Sequence, residues 1–362
     1  MSRFPELTSG RRPVGVVSFA QAQSVRRDSE RNDVEMLMPV VAEVFGNIGI
    51  TKDDVGFICS GSTDYLIGGP FSFVAALDAV GVWPPRAESH VEMDGAWALY
   101  EAWVRLQLGD VDIALVTGSG RSSTADPATI YPMEMDPYYL APLGADMVSM
   151  AALQARVLLD AGLVTERQMA AIASRTRRAA LKNPHAQVSG EFDADDLLAG
   201  DYVRAPLRRH DLPPITDGAC AVVIARRDKA LALTDRPVWI TGIAHSAESH
   251  YPGFRDLRAA SSAARAAAAA GAGDAPVEVA ELQATFTHEE PLLVAALGLG
   301  TDVEVNPSGG PLAANPVMAT GLVRIAEAAR QVRDGGRSRV LAHAASGPCL
   351  QQNLVCVMGG DQ

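Results

Sequence analysis

Asn306-Pro-Ser-Gly-Gly310-Pro-Leu-Ala-Ala-Asn315-Pro-Val-Met-Ala-Thr-Gly321, in the last quarter of the chain, is the stretch on which the reading of the fold turns. It is a run of glycine, proline and asparagine that leads into an apolar helical segment from Gly321 to Val332. Its opening, Asn306-Pro-Ser-Gly-Gly310, has no lysine after the glycines, so it is not a phosphate-binding loop. Two other glycine-rich stretches exclude further chemistries. Gly118-Ser-Gly120 lacks the third glycine of a dinucleotide fingerprint, because Ser123 stands there. Gly61-Ser-Thr-Asp64 is not the Gly-x-Ser-x-Gly elbow of a serine hydrolase.

Around this stretch lies a chain of 362 residues, too long for one ordinary core and suited to about two domains. Hydrophobic residues make up 48% and charged residues 20%, a globular rather than a disordered balance. The net charge of −12 argues against a nucleic-acid binder, since phosphate contacts need a surplus of Lys and Arg. Cys59, Cys220, Cys349 and Cys356 show no CxxC or metal spacing, so a reducing, cytoplasmic compartment and no metal are expected. No cleavable apolar leader precedes Arg11-Arg12, and no uncharged run of about 18 residues exists. Neither secretion nor a membrane span is indicated.

The patterning repeats one α/β plan twice. Pro13–Phe19 is an apolar first strand, and Val34–Ile48 has helical apolar spacing interrupted by Pro39. Asp53–Ser60 reads as a strand entered through acidic turn residues, and Glu101–Leu108 as a helix. Asp112–Thr117 and Asp217–Ala225 read as buried strands, with the helix Met147–Ala161 between them. A second half starts near Arg236. Its strands are Val238–Gly242, Val277–Leu282, Val340–His343 and Asn353–Met358. Its helices lie around Ala259–Ala270, His288–Leu299 and Gly321–Val332. Strands alternating with helices imply sheets covered on both faces. The halves are 1–235 and 236–362, the first carrying a loop or lid region at about 119–215. Within it, Thr124–Pro142 and Gly190–Pro214 read as loops.

Four landmarks carry a resemblance. They are Gly109-Asp-Val-Asp-Ile-Ala-Leu-Val-Thr-Gly118, Thr216-Asp-Gly-Ala-Cys-Ala-Val-Val-Ile224, Ala280-Glu-Leu-Gln-Ala-Thr-Phe286 and Asn306 to Gly321. In order and spacing they resemble the thiolase superfamily, specifically the sterol-carrier-protein-x thiolases and the actinobacterial lipid-transfer thiolase-like proteins. The resemblance implies an α/β, thiolase-like fold of two duplicated α/β halves in a five-layer αβαβα core. It also implies dimerisation through edge strands, expected here near Asp112 to Thr117. Thiolases carry an Asn-x-x-Gly-Gly turn, then Gly-His-Pro-x-Gly-Ala-Thr-Gly opening a buried helix. Here the second frame is Ala314-Asn315-Pro316-Val317-Met318-Ala319-Thr320-Gly321, with Asn315 for the histidine and Met318 for a glycine.

The chemistry of that family needs a nucleophilic cysteine at a strand-to-helix turn, where helix amides favour the thiolate. In Val91-Glu-Met-Asp-Gly95-Ala-Trp-Ala-Leu99 the matching residue is Gly95. The family's His-Asp-x-Phe is here Gln283-Ala284-Thr285-Phe286. Cysteine, histidine and histidine have become Gly95, Gln283 and Asn315, so an acyl-cysteine intermediate at the usual place is excluded.

Two readings follow. One is a retro-aldolase subunit that cleaves a β-hydroxyacyl-CoA through an acyl-CoA enolate, with a CoA thioester as substrate and no covalently bound cofactor. Such a reaction needs a base and donors at the thioester oxygen, but no covalent nucleophile. The resemblance implies steroid side chains as acyl groups and an OB-fold/zinc-ribbon partner protein. The other reading is a non-catalytic subunit that pairs with an active thiolase-like sister chain; either way a homodimer or a heterodimer with a paralogue is expected. Asp94 is the candidate base, or else a helix N-cap. Asn315 and Gln283 are candidate donors. His288 either faces the site or is a helix-start surface residue. His343 and Cys349, beside a loop resembling the family's second-cysteine loop, either line the site or are buried and inert. Arg208 and Arg209 either meet CoA phosphates or form a solvated basic turn. Tyr65 and Tyr138-Tyr139 either line an acyl channel or pack.

Overall fold

The computed structural model describes residues 12–67, 70–81, 87–124, 126–133 and 135–360. The leader question falls on residues 1–11, outside the described residues. Strands Val14–Gln21 (β1), Phe57–Gly61 (β2), Ala87–Val91 (β3) and Ile113–Arg121 (β4) come first. A separate hairpin of Tyr202–Arg204 (β5) and Leu207–Arg208 (β6) precedes Asp217–Arg226 (β7). Val238–Ala247 (β8), Val279–Leu282 (β9), Glu304–Val305 (β10), Arg339–Ser346 (β11) and Gln352–Gly359 (β12) follow. Among the described residues, all but the hairpin join one ten-stranded sheet, ordered β10-β9-β11-β12-β8-β1-β7-β4-β2-β3.

That order is one five-strand plan used twice. Outward from the centre it reads β1-β7-β4-β2-β3 on one side and β8-β12-β11-β9-β10 on the other. In each set the first two junctions are antiparallel and the last two parallel. A short antiparallel pairing, Gly15 with Trp239 and Val16 with Val238, joins the sets. The inner strands are buried on both faces, which is why β7 is a near-continuous apolar run.

Helices fill the layers. Asp33–Gly46 (α1), Asp64–Ile67 (α2), Phe73–Val80 (α3) and Gly95–Leu108 (α4) belong to the first set. Between β4 and β7 come Pro127–Met133 (α5), Met147–Asp160 (α6), Glu166–Ala179 (α7) and Ala194–Leu198 (α8). Arg227–Leu233 (α9), Ser261–Ala269 (α10), Glu289–Ala296 (α11) and Thr320–Arg333 (α12) complete them. Three apolar clusters separate the layers. One sets α1 and α3 on the outer face of the first strand set. The middle one packs α4 and α12 between the two sets. The third covers the outer face of the second set with α6, α10 and α11. The result is a five-layer αβαβα core.

Three expectations change. β4 is paired on both sides, by β7 and β2, so Asp112–Thr117 is not an edge. The free edges of the described sheet are β3 and β10. The helix expected from Glu101 begins at Gly95, because Asp94 caps it there. The two segments read as loops each hold a short helix, α5 and α8, and a further helix, α7, starts between them at a Thr165–Gln168 capping box. Pro39 is carried inside α1, which continues through it. No helix among the described residues is long and apolar enough to cross a membrane.

Candidate active site

The two middle helices bring their N-termini together, and Asp94 sits at the junction. Its Oδ1 accepts from Ala96 N at 2.9 Å, capping α4, and from Leu322 N at 3.1 Å. Its Oδ2 accepts from Gly321 N at 2.8 Å, so the same carboxylate also caps α12. Two helix N-termini favour a negative charge here. Burial nevertheless raises the carboxyl above its ordinary range, against the three backbone N–H groups and Arg324. Approach at this junction is close enough to require glycine. A Cβ on Gly321 would stand 2.6 Å from Asp94 Oδ1.

Gly95 leaves little room for a side chain. A side chain there would begin 3.0 Å from Leu322 Cδ2, 3.1 Å from Leu322 Cβ and 3.2 Å from Gly118 Cα. Its N–H is engaged as well, donating to the Met318 carbonyl at 2.8 Å. Met318 holds a left-handed backbone, φ 75°, where glycine is the usual residue. The loop frame survives even though its glycine does not.

In front of this junction lies a cavity of about 540 Å³. Asp94, Gln283, Glu289 and Asn315 line it, with Met93, Met133, Met135, Met147 and Met318 supplying apolar wall. A second cavity of about 300 Å³ adjoins it, sharing Tyr131, Met147, Thr285, Phe286, Asn315 and Val317. Arg209, exposed, lines this second space.

Both amide side chains are fixed by their oxygens. Gln283 Oε1 accepts from Ala345 N at 3.0 Å, so its Nε2 is the donor that remains. Asn315 Oδ1 takes the Thr320 hydroxyl at 2.9 Å, and Asn315 N donates to Thr216 Oγ1 at 3.1 Å. The Thr320 hydroxyl also reaches the Pro316 carbonyl at 2.9 Å, sharing its single proton. The loop beneath is anchored by a buried network. Ser308 donates to both oxygens of Glu281, which also pairs with Arg324 of α12.

Of the remaining expected site residues, only Tyr65 lines the cavity. His288 is fully buried, Nε2 3.4 Å from Gln154 Oε1, and burial pushes it down to about 3. His343 is buried in β11 with Nε2 2.8 Å from Asn353 Oδ1, pushed down to about 4. Both are neutral core histidines, and neither lines the cavities. Cys349 is buried, its Sγ 3.3 Å from the Met150 carbonyl, and burial pushes the thiol up to about 12. Its neighbours Pro348 and Leu350 line the cavity instead. Arg208 pairs with Glu166 and stacks over the Tyr202 ring at 4.1 Å. Tyr65 lines the cavity, whereas Tyr138 and Tyr139 are exposed and Tyr139 packs edge-on against Tyr251.

Glu289 escaped the sequence reading. As part of His288-Glu289-Glu290 it looks like the acidic first turn of a surface helix, yet it is buried. Its only sequence signal is the apolar company of Phe286, Leu292 and Leu293. Burial pushes its carboxyl up to about 7, against the Phe286 and Thr285 N–H groups.

No family model matches the chain. It is 28% identical over 271 residues to the acetyl-CoA acetyltransferase of Methanothermobacter thermautotrophicus, covering 68% of this chain and 71% of that protein. It is 27% identical over 215 residues to the benzoylsuccinyl-CoA thiolase subunit BbsB of Thauera aromatica, covering 53% of this chain and 56% of that one. Among solved structures, the Ltp2-ChsH2(DUF35) aldolase superposes with a TM-score of 0.81 at 18% identity, over 97% of this chain and 98% of that one. Human mitochondrial 3-ketoacyl-CoA thiolase gives a TM-score of 0.78 at 14% identity, over 97% and 99%. With the doubled topology, these show that the chain has a thiolase-like fold and is similar in sequence to thiolases.

Proposed function

We propose that this chain is the thiolase-like subunit of an acyl-CoA carbon–carbon lyase that performs retro-aldol cleavage of a β-hydroxyacyl-CoA. One observation carries the reading. Gly95, where the resemblance puts a thiolase nucleophile, has no side chain and packs tightly against Leu322, while the cavity beside it keeps two oriented amide donors, Gln283 and Asn315. A retro-aldol reaction needs those donors, at the thioester oxygen that becomes an enolate, and needs no covalent nucleophile. The methionine-rich wall suits a bulky apolar acyl group, because unbranched thioethers adapt to irregular shapes. A steroid side chain is the acyl group we infer from the resemblance. Arg209, beside the second cavity, is the cation we assign to the CoA phosphates. By analogy with the Ltp2-ChsH2(DUF35) aldolase, a small partner of the OB-fold/zinc-ribbon kind completes the complex.

A second reading has its own support. Gly95 is also what a subunit without catalysis would carry, and one relative is named as a thiolase subunit. The two part on one experiment. The chain, co-purified with its partner, is given β-hydroxyacyl-CoA substrates with steroid side chains, and release of the shortened acyl-CoA is followed by chromatography. Cleavage is expected, with Asn315→Ala slower by about 10² to 10³ while the complex stays assembled. Asn315→Ala at the parental rate would show that the reaction does not use this cavity. No cleavage by the parent would leave the non-catalytic reading.

A further inference from the structure

We propose that Glu289 is the catalytic carboxylate of this cavity, taking the proton of the substrate β-hydroxyl and returning it to the cleaved product. The inference rests on the lyase reading. Its ground is a comparison of the three carboxylates that line the cavity. Glu92 is exposed at the rim and is held by Asp64 N at 2.8 Å and by His90 Nε2 at 3.1 Å. Asp94 has both oxygens bonded to the backbone N–H groups of α4 and α12. Glu289, the first residue of α11, is buried as Asp94 is, but its charge is opposed by no arginine or lysine, whereas Arg324 acts on Asp94. Its Oε2 accepts from Phe286 N at 3.0 Å, which ties the carboxylate to the strand-end segment that also carries Gln283. Base and donor are thus built on one piece of backbone.

The step balances without a further reagent. Glu289 accepts the hydroxyl proton, and the electrons of that O–H bond form the new carbonyl at Cβ. The Cα–Cβ bond breaks, and its pair passes through Cα into the thioester oxygen, held by the Gln283 and Asn315 amides. The proton on Glu289 then goes to Cα, leaving a ketone or aldehyde, the shortened acyl-CoA and an ionised Glu289. A carboxyl poised near neutrality serves both transfers. The other titratable groups facing this space are Tyr65, Glu92, Asp94 and Tyr131, and Cys349 lies close enough to feel the charge of Glu289.

The test uses the full chain with its partner and a β-hydroxyacyl-CoA. Glu289→Gln keeps an oxygen for the Phe286 N–H and is expected to lower kcat by about 10² to 10⁴ with KM little changed. Glu289→Asp should recover part of the loss. The parent should show kcat/KM falling as pH drops below about 7, since the base must be ionised, and Glu289→Gln should lack that limb. A folded Glu289→Gln that cleaves within a few-fold of the parent overturns the inference and leaves the lyase reading standing. So does a parental profile with no limb near neutrality, which holds even where the variant fails to fold. A parent that cleaves nothing takes both readings down together.

Discussion

The N-terminus of α4 and the wall formed by the second strand set face each other across one cavity, and they use their polar groups in opposite ways. At α4 every polar group is spent on structure: Asp94 on two helix caps, the Gly95 N–H on the Met318 carbonyl, the space beyond Gly95 on Leu322. Across from it, Gln283 and Asn315 have their oxygens engaged and keep amide hydrogens, and Glu289 keeps a buried carboxylate. The two helices α4 and α12 hold equivalent places in the doubled plan, each following the third strand of its set. The difference therefore comes from side chains rather than topology. In the lyase reading proposed above, the place of the nucleophile and the donors for an enolate are built on different halves.

The largest effect that would sharpen this contrast is on stability at Asp94. Asp94→Ala leaves three buried backbone N–H groups at two helix ends without an acceptor. The expected loss is about 3–5 kcal/mol, since each buried unsatisfied donor costs roughly 1–3 kcal/mol. Denaturant unfolding of the purified chain measures it. A loss below about 1 kcal/mol would mean that Asp94 is not a cap, since a helix cap alone contributes about that much. Asp94 would then return as a candidate base.

A smaller effect tests whether the α4 end is closed. Gly95→Cys places a Cβ 3.0 Å from Leu322 Cδ2 and is expected to destabilise by about 1–3 kcal/mol, the usual cost of overpacking. The variant should show no acetoacetyl-CoA thiolysis, because no histidine stands at Asn315 to activate the thiol. Pairing it with Leu322→Ala should recover stability and let iodoacetamide reach the thiol. Thiolysis by Gly95→Cys alone would break the contrast, since that end would then be open and equipped.

Much of the fold was legible because buried strands are continuous apolar runs: β1, β4, β7 and β12 all stand where the sequence put them. β3 was not, because Ala87-Glu-Ser-His-Val91 lies at a sheet edge, exposed or half-buried throughout, and is largely polar. The start of α4 was hidden by Gly95, a poor helix former whose place depends on the Asp94 cap. Asn315 and Gln283 were singled out through their frames, and both line the cavity. Glu289 was not, because burial of a carboxylate is decided by what packs over it, here segments distant in sequence. His343 and Cys349 were drawn in by proximity along the chain, whereas the β11 pleat turns His343 into the core.

The smallest expected effect concerns Met318, where the two regions touch. Its carbonyl closes the α4 end by accepting from Gly95, and its side chain lines the cavity. A non-glycine residue at φ 75° carries a steric cost of about 1–2 kcal/mol. Met318→Gly removes that cost but adds unfolded-chain entropy of about 0.4–1 kcal/mol. The net change is expected to be small and stabilising, between about zero and about 1.6 kcal/mol. The lost thioether widens the cavity, so KM for a bulky acyl-CoA should rise while kcat holds, since Gln283, Glu289 and Asn315 stay in place. A fall in kcat with KM unchanged would put Met318 among the groups that position the reacting atoms. The strained backbone would then be held for catalysis rather than for the shape of the acyl site.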